Sequence, residues 1–254
     1  MIPKGVQTMI EGKRVLVIVP ARSGSKGLPG KNMMSLLGKP LLAWPIETAL
    51  ASRYVDRVVV STDSESYASY ARSCGAHIPV LRPASLATDQ ASSSDVVVHM
   101  LQQLAQAGES YEILVLLEPT SPLTEANDVD HALEKLIHCG QRATAIVGVG
   151  VITAAHPEFA MAITDQGYLR PYQTISRQPG RRQDITPLYH LDGSLYISYT
   201  SSFLQHRTFY HERTLPFIMP KYKALEIDDW VDFICVEAIL AHKNKWTNGG
   251  TCDA

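Results

Sequence analysis

Three observations predict an α/β chain, a doubly wound and mostly parallel sheet. Short β-rich runs alternate with stretches of helical spacing over most of the 254 residues. The first run, VLVIV (Val15 to Val19), is apolar throughout, as in a strand covered on both faces. It stops at Pro20 in a loop rich in Gly and Lys, at the strand end where such sheets bind ligands.

Four further runs follow the first: RVVVST (Arg57 to Thr62), HIPVL (His77 to Leu81), EILVLL (Glu112 to Leu117) and ATAIVGV (Ala143 to Val149). Helical spacing connects them at Leu41 to Ser52, Ser64 to Cys74, Ser93 to Ala107 and Asn127 to His138. Gly75 and Gly108 are expected stops and Asn127 an expected N-cap. Pro45 is comfortable only in a first turn, which places the start of the first helix near Trp44. From about Val151 to His190 the periodicity fades and Pro, Gln, Arg and Tyr accumulate, marking residues 151–190 as an insertion outside the sheet. Order returns with SLYIS (Ser194 to Ser198), Asp229 to His242 reads as a closing helix, and residues 244–254 are expected to fray.

Composition bounds the function. A chain of this length with 45% hydrophobic residues can bury one large core, so residues 1–254 are read as a single embellished domain. A formal net charge of -2 offers no field for a nucleic-acid backbone, so nucleic acid is not an expected partner. No run approaches the roughly 18 to 20 apolar residues of a membrane span, and the amino terminus lacks a signal-peptide pattern. The expectation is a cytoplasmic protein without a membrane partner. Cys74, Cys139, Cys235 and Cys252 form no C-x-x-C pair, and the first three are read as small core residues.

The segment ARSGSKGLPGKN (Ala21 to Asn32) sets Arg22, Lys26 and Lys31 among Gly24, Gly27 and Gly30. Glycines let backbone N–H groups approach phosphate oxygens, and the cations offset a triphosphate and a departing pyrophosphate. The loop is neither G-x-x-x-x-G-K-[ST] nor G-x-G-x-x-G, and its plain alternative is a solvated basic loop.

This pattern after the first strand resembles the signature of the acylneuraminate cytidylyltransferases, the CMP-sialic acid synthetase family. RVVVSTDS (Arg57 to Ser64), LRPASLATDQASS (Leu81 to Ser93), LLEPTSPLT (Leu116 to Thr124), RRQD with DGSLYI (Asp192 to Ile197) and EIDDWVDF (Glu226 to Phe233) are similar to that family's blocks, in its order. The resemblance implies a nucleotide-diphospho-sugar transferase-like fold, with 151–190 serving dimerisation and sugar contact. It implies CTP and an acidic nine-carbon sugar as substrates, magnesium as cofactor and a homodimer as the assembly.

Carried over to these positions, Arg22, Ser23, Gly24, Lys26, Lys31 and Asn32 would hold the CTP phosphates, with Arg22, Lys26 and Asp228 the catalytic groups. Arg82, Ala91 and Ser93 would form the cytosine and ribose pocket. Arg82 also reads as a surface ion pair, and Ser93 as the N-cap of the helix it opens. If Leu225 to Asp228 is extended, Glu226 and Asp228 point to one face and can share magnesium, while Asp229 begins a helix. Sugar contacts would come from Glu118, Arg182, Gln183, His190, Asp192 and Tyr196, Arg182 clamping the sugar carboxylate through paired hydrogen bonds; His190 also reads as a packed histidine.

Glu118, Thr124, His190 and Asp192 depart from the family's usual residues, which points to a sugar rich in hydroxyl, amide or amine donors, of legionaminic or amino-substituted type. The implied reaction is transfer of CMP from CTP to the anomeric hydroxyl. The other readings are a cytidylyltransferase for Kdo or an amino-Kdo, and a silent nucleotide-binding protein.

Overall fold

Val15 to Val19 are completely buried, odd and even positions alike, because the strand they form has a layer of helices on each face. The computed structural model describes residues 9–24, 27–153, 156–172 and 185–247. In chain order, β1 (Val15–Pro20) leads to a small hairpin of β2 (Ser35–Leu36) and β3 (Lys39–Pro40), then α1 (Ala43–Ala51) and β4 (Arg57–Ser61). Next come α2 (Glu65–Ser73), α3 (Ser93–Gln106), β5 (Ile113–Leu116), α4 (Ala126–His138) and β6 (Ala145–Val151). A second hairpin, β7 (Met161–Ile163) with β8 (Leu169–Pro171), precedes the long β9 (Tyr189–Tyr199). The chain closes with α5 (Thr200–His206), β10 (Thr214–Ile218) and α6 (Trp230–Thr247).

The main sheet runs β10-β6-β9-β5-β1-β4. β1 is parallel to β4 and β5, and β10 to β6; β9 is antiparallel to both β5 and β6. Val15, Val17 and Val19 share one core with buried residues of α1, α2 and α4, while Leu16 and Ile18 share the other with Val97, Met100 and Leu104 of α3 and Phe203 of α5. At about 1.5–3 kcal/mol for each fully buried large apolar side chain, these two layers dominate the stability of the fold. A third cluster joins Leu28, Leu36, Leu41 and Leu123 to Ile227, Phe233 and Val236, seating α6 against the loops at one end of the sheet.

Helix boundaries follow their caps. Ser64 accepts from the Tyr67 amide at the start of α2, and α2 and α3 stop at Gly75 (φ 95°) and Gly108 (φ 78°), where a left-handed turn suits glycine. Pro45 falls in the first turn of α1. Two expected caps are displaced: Ser92 rather than Ser93 caps α3, accepting from the Asp95 amide at 3.1 Å, and Glu125 rather than Asn127 caps α4 in a reciprocal box with Asp128.

HIPVL is not a strand. Only His77 bridges Val59, and the chain then bends at Pro79 toward the site. Conversely β10, α5 and the β7–β8 hairpin carry no sufficient periodicity in the sequence. Cys235 is exposed, and Cys74 and Cys139 are only partly buried against the core, so the reading of all three as core residues is corrected. The carboxyl-terminal tail from 248, with Cys252, lies outside the described residues, whereas residues 244–247 continue α6.

Candidate active site

Parallel β1 and β5 lie side by side in register, Ile18 opposite Leu116, and from them the chain moves to opposite sides of the sheet, β1 leading to β4 and β5 leading toward β6. That reversal opens a crevice beyond their carboxyl ends. A cavity of about 520 Å³ occupies it, with Pro20, Arg22, Lys31 and Asn32 on one wall, Arg82 and Ser93 on another, and Glu118 and Asp228 at its end.

The phosphate loop is pinned from several directions. The Ser23 amide and hydroxyl both donate to Asp63, at 2.8 and 2.7 Å, and these bonds hold the Asp63 carboxyl below its ordinary range against the opposing effect of burial. The buried Asn32 side chain donates to the Arg22 carbonyl at 3.0 Å. Lys31 Nζ donates to the Ile227 carbonyl at 2.6 Å and lies 3.3 Å from Asp228 Oδ1. Gly27 sits against the same segment: a Cβ there would come within 2.8 Å of the Asp228 carbonyl oxygen, so only glycine permits this approach. The Ser23 hydroxyl thus tethers the loop to Asp63, and Gly24 is exposed. Lys26 lies outside the described residues.

Arg82 is buried, which rules out the surface ion pair. Its Nε and Nη2 donate to the Ser61 hydroxyl and carbonyl at 3.0 and 2.5 Å, its amide donates to Thr62, and burial pulls its guanidinium down to about 10. A buried cation facing a cavity has the chemistry to meet acceptor atoms of a base or ribose. Ala91 and Ser93 line the same wall; since Ser92 is the cap, the Ser93 side chain is not committed to that role.

Glu226 and Asp228 flank the fully buried Ile227, Glu226 half-buried and Asp228 exposed. Thr120 Oγ1 donates to Glu226 at 3.0 Å. Burial first, and then Glu226, push the Glu118 carboxyl up to about 7, with Lys31 opposing; burial likewise raises Glu226. No group of three or more His, Cys, Asp or Glu side chains among the described residues could by itself hold a metal ion. The donor set nonetheless fits magnesium, because hard carboxylates that repel one another beside a cation-lined cavity suit an ion that binds one or two carboxylates and completes its shell with phosphate and water.

The remaining sugar-side expectations are divided. Tyr196 pairs with Leu116 at the end of β5, and burial with the negative field of Glu118 and Glu226 raises its hydroxyl. Asp192 is buried rather than lining the cavity: Oδ1 accepts from the Ser194 amide and hydroxyl, and Oδ2 has no hydrogen-bond partner. Burial raises its carboxyl. His190 is exposed on β9 above Gly150 and is not the packed histidine of the alternative reading. Thr124 turns away from the site to the Ser194 carbonyl. Arg182 and Gln183 lie outside the described residues. Sequence reasoning missed Asp63, Asp89 and Thr120; the first stood in the quoted STDS block, the second in LATDQ and the third in EPTSP, but no spacing shows which side chains they hold.

The family model described as cytidylyltransferase matches residues 16–234. The N-acylneuraminate cytidylyltransferase of Escherichia coli O18:K1:H7 is 35% identical over 91% of this chain and 53% of its own length. The CMP-N,N'-diacetyllegionaminic acid synthase of Legionella pneumophila is 35% identical over 89% of this chain and 96% of its own. This chain thus spans about half the length of the first relative and nearly all of the second. A solved CMP:2-keto-3-deoxy-manno-octonic acid synthetase, 18% identical, shares the fold at a TM-score of 0.65 over 91% of this chain and 99% of that one. The chain belongs to the cytidylyltransferase family.

Proposed function

With membership of the cytidylyltransferase family as the premise, we propose that this chain transfers CMP from CTP to the anomeric hydroxyl of a sialic-acid-like nonulosonic acid, releasing pyrophosphate. The observation that carries the reading is the cavity over β1 and β5 that Arg22, Lys31 and Arg82 line together with Glu118 and Asp228. The cations suit a triphosphate, and the carboxylates suit a donor-rich sugar and a hard metal ion. The Legionella relative, matched over nearly its whole length, supports a sugar of legionaminic type.

Arg22 and Lys31 bind and orient the phosphates and stabilise the charge that gathers on the departing pyrophosphate. Arg82 holds the cytidine end, anchored by Ser61 so that it does not reorganise on binding. Glu118 accepts a hydrogen bond from the sugar and orients it toward the α-phosphorus. Glu226 and Asp228 would hold magnesium, which when bound supplies positive charge beside the phosphates. A cytoplasmic homodimer completes the proposal; the apolar side chains exposed around β7 and β8, Met161, Ile163, Tyr168 and Leu169, suit contact with a second copy.

Pyrophosphate release with CTP and magnesium against legionaminic, N-acetylneuraminic, pseudaminic and Kdo acceptors tests the reading. Turnover is expected with a nonulosonic acid, at least 100-fold lower in Lys31→Ala, in the range for loss of one transition-state contact. Release with Kdo alone, or with none of them despite CTP binding, would sink it.

A further inference from the structure

We propose that Asp89 is a positioning residue for the triphosphate: its carboxylate fixes the Arg22 guanidinium across the mouth of the cavity before nucleotide arrives. The inference rests on the reading of the cavity as a CTP site. Arg22 belongs to the loop after β1, and Asp89 to the opposite wall, between the short turn at Ala84–Leu86 and α3. Arg22 Nη1 lies 2.7 Å from Asp89 Oδ1, with the side chains 31% and 38% exposed. A partly exposed ion pair adds little to folding stability, so stability alone does not account for a carboxylate placed among phosphate-binding cations.

The two walls it joins are each anchored at the carboxyl end of β4. Ser23, next to Arg22, is held by Asp63 through two hydrogen bonds, and Arg82 at the start of the opposite loop is held by Ser61 and Thr62. The Arg22–Asp89 pair links the two walls directly. The close approach is through Nη1, and a guanidinium has five N–H donors, so Arg22 can keep Asp89 and still present N–H groups to phosphate. A long side chain restrained in its bound rotamer loses less freedom on binding. The opposing possibility is that Asp89 merely competes with phosphate for Arg22. The two predict opposite signs when the carboxylate is removed.

Calorimetric binding of CTP, cytidine and inorganic tripolyphosphate to wild type, Asp89→Ala, Arg22→Ala and the double variant, in EDTA and in magnesium, separates them. Asp89→Ala is expected to weaken CTP and tripolyphosphate about tenfold, to leave cytidine unchanged, and to add nothing in the Arg22→Ala background. Tighter or unchanged CTP binding, an equal loss for cytidine, or additive losses in the double variant would overturn the proposal. Wild type that binds tripolyphosphate but not CTP would overturn the cytidine reading alone, the Asp89 effect then being read on tripolyphosphate. Wild type that binds neither would overturn both.

Discussion

Glu118 shows how one buried carboxylate couples the site to the stability of the protein. Its folded-state pKa of about 7 stands above the ordinary 4.5, because burial and Glu226 disfavour the charge. The group costs nothing while it is protonated in both states; as pH rises from 4.5 the unfolded chain ionises first and stability falls, the loss being complete above about 7. The full penalty is on the order of 3 kcal/mol. In nucleotide-free, metal-free buffer, Glu118→Gln is therefore expected to melt above wild type at pH 8 and alongside it near pH 4.5. A constant offset across that range in thermal denaturation would contradict this electrostatic account. At this scale the sequence displays identities without partners. Arg82 and Glu118 were legible as site residues from their blocks, whereas Asp89 and Asp63 became legible only when distant loops met. Asp192 was read as facing the sugar, and the fold buries it against β6.

Strands covered on both faces were the most legible elements, since VLVIV and EILVLL have few polar positions to confuse the reading. HIPVL carries Ile, Val and Leu as those runs do, but its Pro79 turns the chain away after one bridge, and Arg82 then lines the cavity. β10, with Pro216 in its middle, was unreadable as a strand; it is tolerated at the sheet edge. The β6–β9 pairing depends on a glycine whose reason is steric. A Cβ on Gly148 would overlap Ser194 Oγ and stand 2.6 Å from Asp192 Oδ1, beside the irregularity in register between Val147 and Val149. Gly148→Ala should destabilise the fold by about 1–3 kcal/mol, as overpacking does, and chemical denaturation measures it. An unchanged midpoint would mean that this strand crossing is looser than described.

For the whole molecule, the doubly wound order could be inferred from alternation alone, and with it the location of the site at the carboxyl ends of the strands. The antiparallel β9 inserted between β5 and β6 could not, because a single strand carries no sign of its direction. It places Tyr196 at the end of β5, beside the carboxylates of the cavity. A molecular mass in solution of twice 28.0 kDa by light scattering is expected for the proposed dimer, and a monomer at micromolar concentration would contradict it.

The most direct test of the central claim is isotopic. The nonulosonic acid that supports turnover, labelled with oxygen-18 at the anomeric hydroxyl, is incubated with CTP, magnesium and enzyme, and the products are followed by phosphorus NMR and mass spectrometry. Attack by that hydroxyl on the α-phosphorus predicts one label in the bridge of the CMP-sugar and unlabelled pyrophosphate in equal amount. Label in the pyrophosphate, or CMP and pyrophosphate without a sugar product, would contradict the account.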